Sequence, residues 1–555
     1  METLIKAVFF DIGGTLVKKN NNSKRDLDTI KQMMRFLDEP GTPQAFIHKV
    51  SAREVEYKQW RSKSLLELKP SERWPQFLLS EYPADFIREH ANRLQQWWAN
   101  SKGIKWMESE TVETLQELAR RGYMLGTISH TSPRYLEEAG ISDLFTTMIH
   151  ASEFGRRKPH PSLFLAAARE CGLRPEDCAY VGDRPSRDVV GSREAGFGEV
   201  VIIESDDREP EVETVPMKPD HKISKLPELL ELFPDRSHSV IPSVTPKEAY
   251  FLYDAALSTM WGIKENIPLA DFFKKGRSLG FARFELNHQL PPDRFAELDQ
   301  TQYHIGSVHD PCPAFIFAKQ LERSDVQITS LDEKLRIEGV DVVKGTIEQA
   351  FRLGANSVII HPGRIAGDHS MDVKIRELFR AGHKDTGEYE ELRQCLIADR
   401  SERGKPHLEA LLKSIDELIA FASSTGLSLG LENRLYYYEL PVMEEMQQIL
   451  DTFEEPWVGW QLDVGHLQIH SNLGITNFNE WLRRFSKRII GVHLHDVRGL
   501  SDHQAPGSGE VDFKKIAKYL PEFAYRTLEV HPNIPVEEIR SGMEALVAAG
   551  CIVRI

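Results

Sequence analysis

Residues 459–470 read GWQLDVGHLQIH and residues 491–510 read GVHLHDVRGLSDHQAPGSGE. The two stretches gather Asp463, His466, His493, His495, Asp496, Asp502 and His503 around two short apolar runs, the pattern of buried strands that deliver metal ligands from their ends. Counted with them, eight apolar runs cross the C-terminal half: Ala256 to Trp261, Ala282 to Asn287, Ile305 to Asp310, Ser357 to His361, Ser428 to Asn433, Val458 to Asp463, Ile489 to Asp496 and Thr527 to His531. Helical spacing fills gaps at Ile267 to Leu279, Thr346 to Leu353, Leu408 to Ala422 and Pro441 to Phe453. Eight strands alternating with helices predict a (β/α)8 barrel, whose active site lies at the carboxyl ends of the strands.

Those ends carry Glu285, His309, His361, Glu432, Asp463, His466, His493, His495 and Glu529. Acids and imidazoles at so many strand ends point to a divalent metal site more than to a set of satisfied core histidines. Individually, Glu285 is expected to salt-bridge the barrel rim, Asp496 to cap the following helix, and His531 to lie just outside the site.

Carried by Ile360-His361-Pro362-Gly363, Leu431-Glu432-Asn433, Leu462-Asp463-Val464-Gly465-His466, Val492-His493-Leu494-His495-Asp496, Pro506-Gly507-Ser508-Gly509-Glu510 and Leu528-Glu529, this half resembles the xylose-isomerase-like TIM barrels. That group includes sugar epimerases, inosose dehydratase and endonuclease-IV-type repair enzymes. The resemblance implies one Mn²⁺, Mg²⁺ or Co²⁺ held by Glu432, Asp463, a histidine of the seventh strand, and Glu529. His493 and His495 are two apart and point to the same side of the strand. His493 is preferred as the ligand, with His361 and His495 expected against the substrate. Glu432 and Glu529 would move a proton on a metal-activated hydroxycarbonyl, giving isomerisation or epimerisation through a cis-enediolate. The rival is a three-zinc phosphodiesterase, with His309, His361, His466 and His503 as additional ligands. At the third metal the repair enzymes carry Asp-x-His, where this chain has Ser501-Asp502-His503.

Composition narrows the classes further. A chain of 555 residues suggests two or three domains. A net charge of -15 disfavours broad electrostatic binding to nucleic acid. The five cysteines are scattered without a CxxC pair and read as reduced thiols. No long apolar run and no leader pattern is seen, so the sequence predicts a cytoplasmic protein with no membrane partner, and a homo-oligomer is compatible with it.

The N-terminal half has its own strand ends. Ala7 to Phe10 lead into Asp11-Ile12-Gly13-Gly14-Thr15-Leu16, Tyr123 to Ile128 into Ser129-His130, Arg157-Lys158 precedes a helix, and Ala179 to Gly182 lead into Asp183 and Asp188. Acid, hydroxyl, lysine and acid pair in a βαβ pattern supply a nucleophile, an oxyanion partner, a charge neutraliser and a Mg²⁺ seat. In order and placement these four motifs resemble the haloacid dehalogenase superfamily over residues 1–233, a Rossmann-like fold with an inserted helical cap at about 18–105. The resemblance implies that Asp11 attacks a phosphoryl group, that Ser129 and Lys158 assist, and that Asp11, Asp183 and Asp188 hold Mg²⁺. Thr15 and His130 are expected to contact the substrate.

Phosphatases of that family usually carry a second Asp two residues after the nucleophile, and here that position is Gly13. Losing a general acid-base costs about 10²–10⁴-fold. A phosphatase with a substitute acid, another chemistry such as phosphonate or halide cleavage, and a phosphate-binding domain without turnover all stay open. Residues 234–242 read as a Pro- and Ser-rich linker and 243–555 as the barrel. Together the halves predict a bifunctional enzyme of sugar or polyol phosphate metabolism, taking a phosphorylated small molecule and a sugar-like substrate. The alternatives are an abasic-site zinc phosphodiesterase with an associated phosphatase, and a non-catalytic sugar-phosphate sensor.

Overall fold

A computed structural model describes residues 5–19, 25–102, 105–204, 218–236, 251–262, 267–300, 303–423, 425–453 and 457–555. The expected linker lies outside the described residues from 237 onward, as does the expected domain start at 243. The chain forms two compact units that divide between Phe251 and Leu252.

The first unit is built on a parallel sheet of β1 (Ala7–Phe10), β2 (Met124–Ser129), β3 (Phe145–His150), β4 (Cys178–Gly182), β5 (Glu199–Ile203) and β6 (His221–Ile223). Both faces of β1 and β4 are buried, which explains why they read as unbroken apolar runs with no alternation. The strand order is β3-β2-β1-β4-β5-β6. The chain therefore reverses direction across β1, and the crevice beyond the carboxyl ends of β1, β2 and β4 is the place where such sheets bind ligands. The stretch expected as a cap is helical, with helices Leu27–Leu37, Pro43–Ser64 and Ala84–Asn100 closing on a core of their own that includes Met33, Phe46, Val50, Trp74, Leu94 and Trp98.

The second unit is a closed parallel barrel of β7 (Tyr253–Ser258), β8 (Phe281–Leu286), β9 (Ile305–His309), β10 (Ser357–Ile360), β11 (Ser428–Glu432), β12 (Val458–Asp463), β13 (Ile489–Leu494) and β14 (Tyr525–Leu528). The first and last strands close it through Thr527 opposite Ala256 and Leu528 opposite Leu257. Two strand ends are displaced from the sequence reading. β7 stops at Ser258 and Thr259–Gly262 forms a 3-10 turn, while β14 starts at Tyr525, leaving Glu529 just past its end. The helix expected from Leu408 begins at Gly387 and runs through Pro406. An interior proline removes one hydrogen bond, but Leu396, Arg400, His407 and Leu411 are all buried along this helix. Arg400 also pairs with Glu445 at 2.8 Å.

Candidate active sites

At the carboxyl edge of the first sheet, Lys158 Nζ lies 2.9 Å from Asp11 Oδ1, 2.6 Å from Asp188 Oδ1 and 2.7 Å from the Tyr180 hydroxyl. The two acids and Lys158 are nearly inaccessible to solvent. The Ser129 hydroxyl accepts from the backbone N–H groups of Ile12 (3.3 Å) and Thr131 (3.0 Å), leaving its own proton to donate. Thr15 Oγ1 and His130 Nε2 are buried with no hydrogen-bond partner. Burial, then the charges of Lys158 and Arg157, drive His130 well below the usual imidazole range, so its ring is neutral.

Asp183 and Asp188 are not an equivalent pair. Asp188 Oδ2 accepts from the backbone N–H groups of Asp183 (3.0 Å) and Arg184 (2.9 Å), while Oδ1 takes Lys158 and Tyr180. Both oxygens of Asp188 are thus held by donors. Gly182 is required here, because a Cβ on it would meet the Asp188 carboxylate carbon at 2.4 Å. Tyr180 went unnoticed in the sequence because it reads as one more apolar residue of a buried strand.

In the barrel, the side chains at the strand ends converge on Asp463. His495 Nε2 lies 3.0 Å from both Asp463 oxygens, and His495 Nδ1 accepts the backbone N–H of His503 at 2.9 Å. That acceptor role fixes the proton on Nε2. His495 is fully buried with both nitrogens engaged, so the expected substrate contact from this residue has no atom to make it. Gly465 makes room for the ring, since a Cβ there would meet His495 Cε1 at 2.1 Å. Asn433 anchors the backbone of the acid, accepting from Asp463 N at 3.0 Å and donating to Asp463 O at 2.8 Å.

His493 is arranged differently. Its Nε2 faces Glu285 Oε1 at 3.0 Å. Its buried Nδ1 lies 3.0 Å from Glu529 Oε2 and 3.6 Å from Asp463 Oδ2 without forming a hydrogen bond. Glu285 is no rim salt bridge: it is fully buried, and its Oε2 accepts from Ser307 (2.7 Å) and Thr527 (3.1 Å). Strands of a barrel are buried on both sides, so sequence spacing cannot say which acid points inward.

Glu432 and Glu529 complete the ring. Glu432 Oε2 meets His309 Nε2 at 3.1 Å and His361 Nε2 at 3.0 Å, and Oε1 meets Arg434 at 2.9 Å and His466 Nδ1 at 3.2 Å. Glu529 Oε1 accepts from Asn287 at 3.1 Å and Ser258 at 3.3 Å. Burial opposes the charge on Glu432, Asp463 and Glu529. Even so, Arg434 and His361 hold Glu432 ionised, His466 and His495 hold Asp463, and His493 holds Glu529. His503 has φ +50°, a left-handed conformation unusual for a non-glycine, and its Nε2 points at Glu529 Oε2 from 3.6 Å. His466 Nε2 and His503 Nδ1 both face Asp502.

Several groups here have the geometry to share a cation, among them Glu432, Asp463 and His466; Glu285, His493 and Glu529; and His288, His309 and His361. His288 and Arg434 were missed in the sequence because each lies in a loop beyond its strand. Asp496 does not cap a helix. It is buried and accepts from the backbone N–H groups of Val497, Gly507, Gly509 and Val511, tying both ends of the loop that carries Asp502 and His503. His531 lies at the edge, half exposed, 3.8 Å from Asp502.

Comparison with known proteins agrees with this division. A family profile described as haloacid dehalogenase-like hydrolase matches residues 5–196, and one described as xylose isomerase-like TIM barrel matches residues 273–549. A glyceraldehyde 3-phosphate phosphatase of Methanopyrus kandleri is 32% identical over 127 residues, 22% of this chain and 54% of that protein. A phosphoserine phosphatase of Thermus thermophilus is 34% identical over 124 residues, 22% of this chain and 48% of that one. The chain thus spans about half the length of these two curated relatives. Among solved structures, a D-tagatose 3-epimerase-like protein aligns with 53% of this chain and 96% of its own at 22% identity and a TM-score of 0.38. A 2-haloacid dehalogenase from Pseudomonas syringae pv. Tomato aligns with 41% and 98% at 22% identity and a TM-score of 0.32. Among the described residues, no helix is long and apolar enough to cross a membrane. The chain joins a haloacid dehalogenase-like hydrolase domain at residues 5–196 to a xylose isomerase-like TIM barrel at residues 273–549.

Proposed function

We propose that the barrel is a metal-dependent isomerase or epimerase of sugar-like hydroxycarbonyl compounds, and that the N-terminal domain binds or hydrolyses a phosphorylated small molecule through Asp11. The observation that carries the barrel reading is His493. A carboxylate fixes its Nε2, and its buried Nδ1 is turned, without a hydrogen bond, toward Glu529 and Asp463. Outer carboxylates orient metal-bound histidines in this way. Glu432, Asp463, His493 and Glu529 would hold the ion, and three carboxylates with one imidazole suit Mn²⁺, Mg²⁺, Co²⁺ or Zn²⁺.

Such an ion would draw charge from a carbonyl and its neighbouring hydroxyl, acidifying the C–H between them. The protein's own part is to receive and return the proton. Glu432 and Glu529 stand at the ends of β11 and β14, and both are kept ionised by cationic neighbours. His495 steers Asp463, and Asn433 holds that acid's backbone. In the N-terminal domain Asp11 and Asp183, at the ends of adjacent strands, would hold Mg²⁺, while Lys158 positions Asp11 and neutralises phosphoryl charge.

One observation favours a second reading. His309 and His361 converge on Glu432 Oε2, with His288 beside them, a donor group for a further ion as in phosphodiester-cleaving enzymes. The test is to incubate the protein with Mg²⁺ or Mn²⁺ in deuterated water and a panel of free ketoses and sugar phosphates, following C–H exchange by NMR together with phosphate release. Exchange without strand cleavage supports the isomerase. Nicking of an abasic duplex, lost in Glu529→Gln, would replace it. No exchange and no phosphate release across a broad panel would sink both activities proposed here.

A further inference from the structure

The cap of the N-terminal domain is clasped to the sheet beside Lys158. Glu67 N donates to Gly155 O at 3.2 Å, Arg157 N donates to Leu65 O at 3.0 Å, and Leu66 bridges Arg156. The clasp brings three guanidinium groups around one buried carboxylate. Arg61 Nη1 bonds Glu67 Oε1 at 2.9 Å, Arg157 Nη1 stands 3.8 Å from Oε2, and Arg73 Nη1 stands 4.0 Å from Oε1.

Arg73 also bonds the Gln95 side chain, which leaves one carboxylate between Arg61 and Arg157. Arg157 is 7% exposed, and its Nη1 is buried with no hydrogen-bond partner. His130, one residue past Ser129, also has a buried Nε2 without a partner, and it lies within the fields of Lys158, Arg157 and Arg61. Buried donors and surplus buried charge are costly unless something pairs with them. Asp11 is already paired with Lys158, so the surplus belongs to the seam between cap and sheet.

We propose that this seam is a second anion site. Arg157 and Arg61, with His130 alongside, take a carboxylate or second phosphate group on the same small molecule whose phosphoryl group sits at Asp11 and Lys158. The preferred phosphate ester therefore carries another acidic group. This rests on the phosphoryl-binding reading of Asp11 and Lys158 given above, and it adds the substrate class.

Calorimetric titration of the full chain in Mg²⁺ tests it with two matched pairs: 3-phosphoglycerate against glycerol 3-phosphate for the carboxylate, and fructose 1,6-bisphosphate against fructose 6-phosphate for the second phosphate. In at least one pair the more acidic member binds at least about tenfold tighter. Arg157→Gln brings that ratio toward one while leaving the singly charged ester's Kd within about twofold. Arg61→Gln, on the more exposed guanidinium, does the same, which covers the case in which the buried variant fails to fold. Ratios near one in the unmodified protein, or a ratio kept in both variants, would overturn the second site while leaving the phosphoryl site standing. If neither glycerol 3-phosphate nor inorganic phosphate binds, the phosphoryl reading fails and takes this one with it.

Discussion

His493 Nε2 and Glu285 Oε1 meet at 3.0 Å inside the barrel, and neither side chain reaches solvent. Against burial, Glu529 and Glu285 raise the ring's pKa well above the usual imidazole range. With a cation bound, the contact would keep the proton on Nε2 and leave Nδ1 as the electron-pair donor. Glu285→Gln keeps the shape and still offers an oxygen to Ser307 and Thr527, but it removes the charge that fixes the tautomer. Metal affinity should fall about 10–100-fold with the circular dichroism spectrum unchanged. Unaltered affinity would reduce Glu285 to a packing residue.

Metal removal should lower the melting temperature of the barrel transition. An ion present at 100 times its Kd adds about 2.7 kcal/mol to the folded state, and a chelator takes that away. Elemental analysis of protein purified without added metal separates the two readings: one Mn²⁺-type ion fits the isomerase, and about three zinc ions fit the phosphodiesterase.

A Cβ built on Gly13 would lie 2.3 Å from Thr131 Oγ1. Installing an acid there with Gly13→Asp alone should destabilise the domain and yield little phosphate release. Adding Thr131→Ala removes the obstructing hydroxyl, and the double variant should exceed Thr131→Ala alone by about 10²-fold, the lower end of what a general acid contributes. No gain in the double variant would mean that Gly13 is not what limits hydrolysis.

Lys158 is the cation between Asp11 and Asp188. Lys158→Met leaves two buried carboxylates facing each other, and breaking a buried pair in this way costs about 3–5 kcal/mol. Urea unfolding should show the loss, and Mg²⁺ should restore part of it. Asp11→Asn should abolish any phosphate release without that penalty.

His470, one helical turn beyond His466, supplies a separate pH signature. Burial first, and then the Arg376 guanidinium, push its pKa down to about 3, and its Nε2 bonds Leu435 O at 3.0 Å. Its folded value is depressed, so its contribution is complete above pH 6.5 and is lost as pH falls from there toward 3, at about 1.4 kcal/mol per unit. His470→Gln should flatten that limb between pH 6.5 and 4.5 in urea titrations. An unchanged slope would show that the ring is protonated in the folded state.

Much of the architecture was legible because parallel strands announce themselves as unbroken apolar runs. Asp11, Asp183, Glu432 and Asp463 could be found because each sits where such a run ends. Orientation was harder. His493 and His495 are alternate residues of one strand with the same chemistry, and only their partners distinguish them: Glu285 from β8 for one, Asp463 and the His503 backbone for the other. Glu285 and Asp496 were misjudged for the same reason, since an acid that braces a neighbour across the fold carries no local mark. Pro406 concealed the start of its helix, where buried side chains outweigh the broken hydrogen bond.

The Asp496 carboxylate accepts four backbone N–H groups, from Val497 at one end of its loop and from Gly507, Gly509 and Val511 at the other. The loop is therefore a closed hoop, and its turn at Gly499 is fastened to the same segment, since Gly499 N donates to Glu510 Oε1 at 2.8 Å. A residue inserted between Pro506 and Val511 would unfasten the clasp, and one inserted at Gly499 would break its bond to Glu510. A graft of this hoop onto another barrel would need Asp496 and the 506–511 turn to travel together.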